Sequence, residues 1–297
     1  MVTGAVALGG AERQMCSLVQ GLLQRDWSVE VMELIGVAPG QASFEQEFKK
    51  AGVRVRRASG EGSLNGHGIP DALEPFAPLV PGNLAQICRS LRDAYEEFRP
   101  DIVHCWSDLA NVVGGFSAAS FDIARIVLGQ RTFPPTHYVS AEEAALYRKA
   151  YTVLLRNSAV LCLNNSKASR LEYERWLDVP SGAVRQVYNG FLPSSISLRT
   201  GADSVACRAR LGLPVHSVVI GGIMRFAPEK DPHLWLEAAA AIAARRADVH
   251  FVLTGYGHDN IAEELWKHGS ELGLANRLIM PGPSRDVGEI YAPWTCS

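Results

Sequence analysis

The sequence predicts an α/β protein built from two doubly wound parallel sheets with helices on their faces, the second sheet incomplete. Three observations carry this. Short β-branched runs alternate with amphipathic stretches of helical period, which is the pattern of strand and crossover helix in turn. The strands are apolar throughout rather than alternating, as strands buried on both faces are, and that burial goes with parallel pairing. The alternation lapses once, between Asn189 and Pro214, and then restarts.

Taken in order, a thin apolar strand at Val2 to Val6 runs into a glycine-rich turn, a helix from Ala11 to Gln24 and a strand from Ser28 to Leu34. A strand at Val53 to Arg56 follows. The segment Gly60 to Gly82 holds so many glycines and prolines that it reads as a long mobile loop. Beyond it come a helix at Leu84 to Phe98, the strand Ile102 to His104 and a helix from Leu109 to Ala119. Arg125 to Leu128 reads as a buried strand, Ala141 to Arg156 as a helix and Val160 to Leu163 as a strand. Ser166 then caps a helix that ends at Trp176. The lapse carries Gly190, Pro193, Gly201 and Pro214, with a short helical stretch at Cys207 to Leu211. This sets the division: residues 1–192 as a first domain, 193–214 as linker and 215–297 as a second domain. The second series has strands at Val218 to Met224, Val249 to Leu253 and Arg277 to Met280, with helices at Pro232 to Arg246 and Ile261 to Leu272. A last element begins near Asp286.

Composition removes several function classes. A chain of 297 residues with net charge −2 gives no electrostatic case for a nucleic-acid partner. The richest apolar run, around Ala238 to Ala244, stops at Arg245 and Arg246, well short of the ~18 to 20 residues of a membrane span. Met1 to Ala11 lacks the basic leader of a secretory signal, although Ala5 and Ala7 imitate a cleavage site, so the expected location is the cytoplasm. The six cysteines lie far apart with no C-x-x-C pair, which speaks for buried thiols rather than a zinc site or a disulfide scaffold.

Four segments carry candidate chemistry, each with a plainer reading beside it. Gly9-Gly10 lies between a strand and a helix; it brings backbone close to a phosphate at the helix N-terminus, or simply makes a tight turn. It matches neither the dinucleotide fingerprint nor a P-loop. Arg225 and Lys230 flank a proline turn at the end of a strand, where ligands bind in doubly wound sheets. They converge on a diphosphate, or form solvated pairs with Glu229 and Asp231. Gly255 and Gly257, just after the strand that ends at Leu253, admit a nucleotide or make a turn. His104, at the carboxyl end of its strand, is a pocket residue or a satisfied structural histidine. No D-x-D, H-E-x-x-H or G-x-S-x-G occurs, so a metal-dependent mechanism is disfavoured.

In this order the segments resemble the family 4 retaining glycosyltransferases of two-Rossmann-domain (GT-B) architecture. Gly9-Gly10-Ala11-Glu12-Arg13-Gln14 looks like the family's G-G-A-E-R-Q turn, and Arg99-Pro100-Asp101-Ile102-Val103-His104 like its R-P-D-I-V-H strand. Asn164-Asn165-Ser166 and Val187-Tyr188-Asn189-Gly190 are similar to its A-N-S and I-P-N-G segments. Arg225 to Lys230 matches the R-x-x-P-E-K turn, and Gly255-Tyr256-Gly257 the G-x-G after it.

The resemblance implies transfer of a sugar from a nucleotide-diphosphate sugar to a glycan or lipid-linked acceptor, as in polysaccharide biosynthesis. Configuration would be retained, and neither metal nor separate cofactor would be needed. Arg225 and Lys230 would hold the donor diphosphate and offset charge on the departing phosphate, with Gly9, Gly10, Gly255 and Gly257 also at the donor. His104 would line the sugar or acceptor pocket. Relatives often act on lipid-linked glycans at the inner membrane face, which implies peripheral membrane association, yet no basic amphipathic helix announces it. Where many members have a second histidine this chain has Trp106. The family would also continue past Ser297 with a two-glutamate loop and a returning helix, so the chain is expected to be a C-terminally truncated fragment with little or no transferase activity by itself. The alternatives are an inactive relic that at most binds a sugar nucleotide, and, more distantly, a GT-B sugar-nucleotide epimerase.

Overall fold

The computed structural model describes residues 1–37, 43–58, 70–80, 83–190, 201–258, 260–283 and 291, with the backbone alone for 201–203. The chain divides into two compact units, Met1–Phe191 and Leu192–Ser297. Unit 1 is built on a seven-stranded parallel sheet of β1 (Val2–Thr3), β2 (Glu30–Glu33), β3 (Arg54–Arg57), β4 (Ile102–Trp106), β5 (Arg125–Gln130), β6 (Val160–Asn164) and β7 (Val184–Gln186). Their spatial order is β3-β2-β1-β4-β5-β6-β7. The order reverses between β1 and β4, and this is where a doubly wound sheet opens a crevice beyond its strand ends. Val2 pairs with Cys105 and Thr3 with Trp106, so the loops after β1 and β4 leave the sheet side by side.

The helices follow the periodicity of the sequence: α1 (Gly10–Leu23), α3 (Leu84–Phe98), α4 (Asp108–Ala119), α5 (Ala141–Leu154) and α6 (Lys167–Leu177). Ser166 caps α6 by accepting from the Ser169 N–H at 3.1 Å, and Ser140 and Glu143 form a capping box at α5. Two short elements, α2 (Glu45–Lys50) and β7, have no counterpart in the sequence reading because each is too short to show a period. Helix α4 is buried almost all round. Gly114 and Gly115 let it approach the sheet: a Cβ at 114 would stand 2.7 Å from Cys105 Sγ, and one at 115 would stand 3.1 Å from Leu128 Cδ2. The open edge β3 reads Arg-Val-Arg-Arg and is covered by ion pairs with Glu30, Glu33, Glu45 and Glu97, which discourages edge-to-edge association.

One expectation is corrected. Within the Gly60 to Gly82 segment, Asp71–Leu79 forms a 3₁₀ helix whose Leu73 and Phe76 are buried in the main core. Phe76 packs edge-on against Tyr147 with ring centroids 5.3 Å apart. Pro75 and Pro78 remove backbone donors and favour a 3₁₀ run over an α-helix, while burial of the apolar side chains fixes the segment in place. The rest of that loop, at 60–69 and 81–82, lies outside the described residues, as does the element expected near Asp286.

Unit 2 contains α7 (Gly201–Arg210), β8 (Val218–Phe226), α8 (Pro232–Ala243), β9 (Val249–Gly257), α9 (Ile261–Glu271) and β10 (Leu278–Ile279). Among the described residues its parallel sheet has the order β10-β9-β8. Arg208 of α7 is buried and donates to the carbonyls of Pro214, Val215 and Ser217, tying α7 to the turn that leads into β8. The unit has its own core around Phe226, Leu236, Phe251, Leu253 and Leu265. No helix among the described residues is long and apolar enough to cross a membrane.

Candidate functional site

In unit 1 the glycine pair opens α1: Gly9 is the extended N-cap residue and Gly10 the first helical residue. Neither has a positive φ, and a Cβ at Gly10 would meet nothing within 4 Å, so the fold itself does not demand glycine there. The Glu12 side chain lies over the place that a Gly9 Cβ would take. The first-turn N–H groups of α1 form the donor array that anions favour.

His104 stands in the interior of β4, two residues before its end; the strand runs on through Trp106. The correction matters, because residues i and i+2 of a strand share a face and His104 therefore packs beside Trp106, with ring centroids 5.2 Å apart. On β5, Gly129 pairs with Trp106, and a Cβ at 129 would stand 2.8 Å from the Cys105 carbonyl oxygen and 3.0 Å from His104 Nε2. Glycine at this position makes room for the imidazole. Just past β5, Arg131 lays its guanidinium over the Trp106 ring at 4.1 Å and donates to Asn189 Oδ1 at 2.7 Å.

Burial first, and then the charges of the amino terminus and Arg131, hold the His104 imidazole down to about 3 from its ordinary 6.5. It is therefore neutral near pH 7, with one ring nitrogen able to donate a hydrogen bond and the other to accept one. The sign of the linkage follows. Only the unfolded imidazole takes up a proton below pH 6.5, so this contribution to stability is complete above 6.5 and is lost as pH falls toward 3. In His104→Asn the difference in urea stability between about pH 7 and about pH 5 is expected to shrink, by at most ~1.4 kcal/mol per pH unit. Identical pH dependence in the two proteins would contradict it.

After Trp106 the backbone turns at Ser107 with φ 71° and ψ 160°, a region nearly confined to glycine, and the Ser107 N–H donates to the Gly129 carbonyl at 3.0 Å. The turn delivers Asp108 into the interior. Its carboxylate accepts from the hydroxyls of Tyr138 (2.6 Å), Tyr151 (2.6 Å) and Tyr173 (2.7 Å). Asn111 donates to Tyr151 Oη at 2.8 Å and to the Gly129 carbonyl at 3.2 Å. Burial pushes the Asp108 carboxyl up while the three hydroxyls work against it. The network ties α4 to α5, α6 and the segment after β5, and so fixes the strand ends that carry His104, Trp106 and Arg131.

In unit 2, β8 extends to Phe226, so Arg225 lies within the strand. Strand β9 extends to Gly257, so Gly255 and Gly257 are strand residues and not a turn beyond Leu253. The register pairs Met224 with Gly255, Arg225 with Tyr256 and Phe226 with Gly257, bringing the predicted cation and the glycine segment together. Both glycines have a packing reason: a Cβ on Gly255 would collide with the Met224 carbonyl, and one on Gly257 would stand 2.5 Å from the Phe226 carbonyl. Arg225 pairs with Glu229, both exposed. Lys230 ends a single 3₁₀ turn, Pro228–Lys230, is exposed, and has no carboxylate partner among the described residues. Asp231 does not pair with it; its carboxylate accepts from the Leu234 N–H at 3.1 Å and caps α8.

Burial pushes the Cys105 and Cys162 thiols up to about 12, which makes both inert as nucleophiles. Among the described residues no group of three or more His, Cys, Asp or Glu side chains is placed to hold a metal ion.

Residues 8–193 match the model of Glycosyltransferase Family 4. The chain is similar to the Vi polysaccharide biosynthesis protein VipC/TviE of Salmonella typhi, 27% identical over 312 aligned positions that take in 97% of this chain and 52% of that protein. The chain thus spans about half the length of this curated relative. Among solved structures it is similar to Anabaena Alr3699/HepE in complex with UDP and glucose, with TM-score 0.74 and 18% identity, covering 98% of this chain and 72% of that one. It is also similar to a glycosyltransferase from Rickettsia africae, with TM-score 0.68 and 14% identity, covering 98% and 70%. At these identities the structural likenesses speak for the fold.

Proposed function

This chain belongs to Glycosyltransferase Family 4, and from that premise we propose that it transfers a sugar from a nucleotide-diphosphate sugar to a glycan or lipid-linked acceptor, with retained configuration and without a metal ion. The donor diphosphate is assigned to unit 2 and the acceptor to unit 1. The observation that carries the reading is the meeting of Arg225, at the end of β8, with the Gly255-Tyr256-Gly257 end of β9, and with the exposed Lys230, which has no salt-bridge partner among the described residues, just beyond. Two exposed cations there suit the two phosphates, Arg225 through its planar fork and Lys230 as a point charge. The Arg225–Glu229 pair does not stand in the way, since an exposed pair of this kind contributes ~0–1 kcal/mol and a diphosphate competes well against it.

In the reaction the bond between the anomeric carbon and the diphosphate oxygen breaks, the oxygen of the acceptor hydroxyl bonds to that carbon, and the hydroxyl's proton passes to the departing diphosphate. Negative charge grows on the departing phosphate, where Arg225 and Lys230 act as electrostatic stabilisers. Neutral His104 hydrogen-bonds a sugar or acceptor hydroxyl. Uridine diphosphate is the natural first probe, because the Anabaena neighbour is solved with UDP. Work at the inner face of the membrane, on a lipid-linked acceptor, belongs to the same proposal.

The test offers labelled nucleotide sugars and candidate acceptors to the protein, with and without a chelator, and reads the anomeric configuration of the product by NMR. From a polypeptide that contains the whole family domain, a product of retained configuration, formed equally with chelator present, is expected. An inverted or chelator-sensitive product would overturn the mechanism. Release of an epimerised sugar nucleotide would favour an epimerase, and donor binding with no product a binding-only relic.

A further inference from the structure

We propose that unit 1 carries a subsite for an anionic group borne on a sugar, a carboxylate or a phosphate, formed by Arg131, Asn189 and the Trp106 ring; it rests on the glycosyltransferase reading only in taking the ligand to be a sugar. Arg131 is a permanent cation that no carboxylate pairs with among the described residues. Of the groups facing it, Glu12 on α1 acts at longer range and His104 is neutral near pH 7. Partial burial draws its guanidinium down to about 10, so the fold holds the charge in place at some expense.

The guanidinium is also held in one orientation. Its face lies 4.1 Å over Trp106 and one terminal nitrogen donates to Asn189 at 2.7 Å. The cation–π contact explains the stack but leaves donors over: among the described residues, Arg131 Nε is buried without an acceptor, and so is the indole N–H of Trp106. Buried donors without partners are uncommon, and two on stacked neighbours point to a missing acceptor. A planar guanidinium pinned in this way matches the two oxygens of a carboxylate or phosphate. The surroundings suit a sugar. Asn189 is preceded by Val187 and Tyr188, 56% and 69% exposed, which offer an apolar and aromatic surface to a pyranose face. The whole group stands at the carboxyl ends of β4, β5 and β7, the side of the sheet where ligands bind.

The test follows the Arg131 side-chain Nε resonance by NMR in the full chain, assigned by its loss in Arg131→Lys, during titration with glucuronate, glucose 6-phosphate, glucose and inorganic phosphate. Saturable shifts are expected with glucuronate, glucose 6-phosphate or both, and not with glucose; the responding sugar says whether a carboxylate or a phosphate is recognised. In Arg131→Lys, which keeps the charge and loses the fork, the affinity read on Trp106 is expected to fall about tenfold or more. Asn189→Ala, at an exposed site, is expected to weaken binding in a folded protein and serves if the Arg131 variant is unstable. No response to either charged sugar, an equal response to glucose, or an equal response to inorganic phosphate alone would overturn the proposal. Binding of uridine diphosphate, which depends on unit 2, is measured in parallel: its retention while the charged sugars fail to bind rejects this inference alone.

Discussion

Asp108→Ala is expected to destabilise unit 1 by about 3–5 kcal/mol, since it strips the common acceptor from buried hydroxyls, each costing ~1–3 kcal/mol when left unpaired. Tyr151 and Tyr173 are fully buried and no water replaces the carboxylate for them, whereas Tyr138 is half exposed and loses little. For a unit of this size that loss lowers the melting temperature by on the order of 10 °C. Asp108→Asn keeps the volume and one acceptor oxygen and should cost less. Adding Tyr151→Phe to Asp108→Ala removes an orphaned hydroxyl, so the double variant should be less damaged than the two single effects summed. Thermal or urea unfolding of the parent, Asp108→Ala, Asp108→Asn, Tyr151→Phe and the double variant reads this. A loss under about 1 kcal/mol in Asp108→Ala would mean that the tyrosines find other acceptors.

The second large effect is on the donor. In the proposed donor site Arg225→Ala and Lys230→Ala would each remove one charge-assisted contact to the diphosphate, worth ~1.5–3 kcal/mol, so each should weaken uridine diphosphate binding by roughly 10- to 150-fold. Both side chains are exposed and Arg225 spends its charge on a weak surface pair, so stability should move by no more than about 0.5 kcal/mol. Calorimetric titration separates binding from folding here. Variants that bind as the parent does would remove these residues from the donor site.

These two effects differ in how far they can be read from the sequence. Arg225, Lys230, Gly255 and Gly257 come from neighbouring segments of short, regular spacing, and one register, β8 on β9, brings them together. The alternation of strand and helix was legible for the same reason, because period is a local property. Asp108 and its tyrosines lie 30, 43 and 65 residues apart, so nothing local marks them as partners. The stack of Arg131 on Trp106 likewise needs β5 laid beside β4 and the loop after β7 brought across to it. Ser107 gives no sign in sequence of its glycine-like backbone. The 3₁₀ helix Asp71–Leu79 does leave one trace, since Leu73 and Phe76 recur at the spacing of a single turn, but flanking glycines and prolines outweigh it. The packing role of Gly255 and Gly257 was hidden too: a glycine forced by a neighbouring carbonyl looks, in sequence, like one that admits a ligand.

The proposed function stands or falls with a nucleotide-sugar site in unit 2. Its most direct test is calorimetric titration of uridine diphosphate into the parent chain and into the Arg225→Ala, Lys230→Ala double variant under identical salt. Saturable one-to-one binding is expected of the parent and none measurable of the double variant, with the two proteins melting together. Equal binding by both, or no binding by the parent, would contradict it.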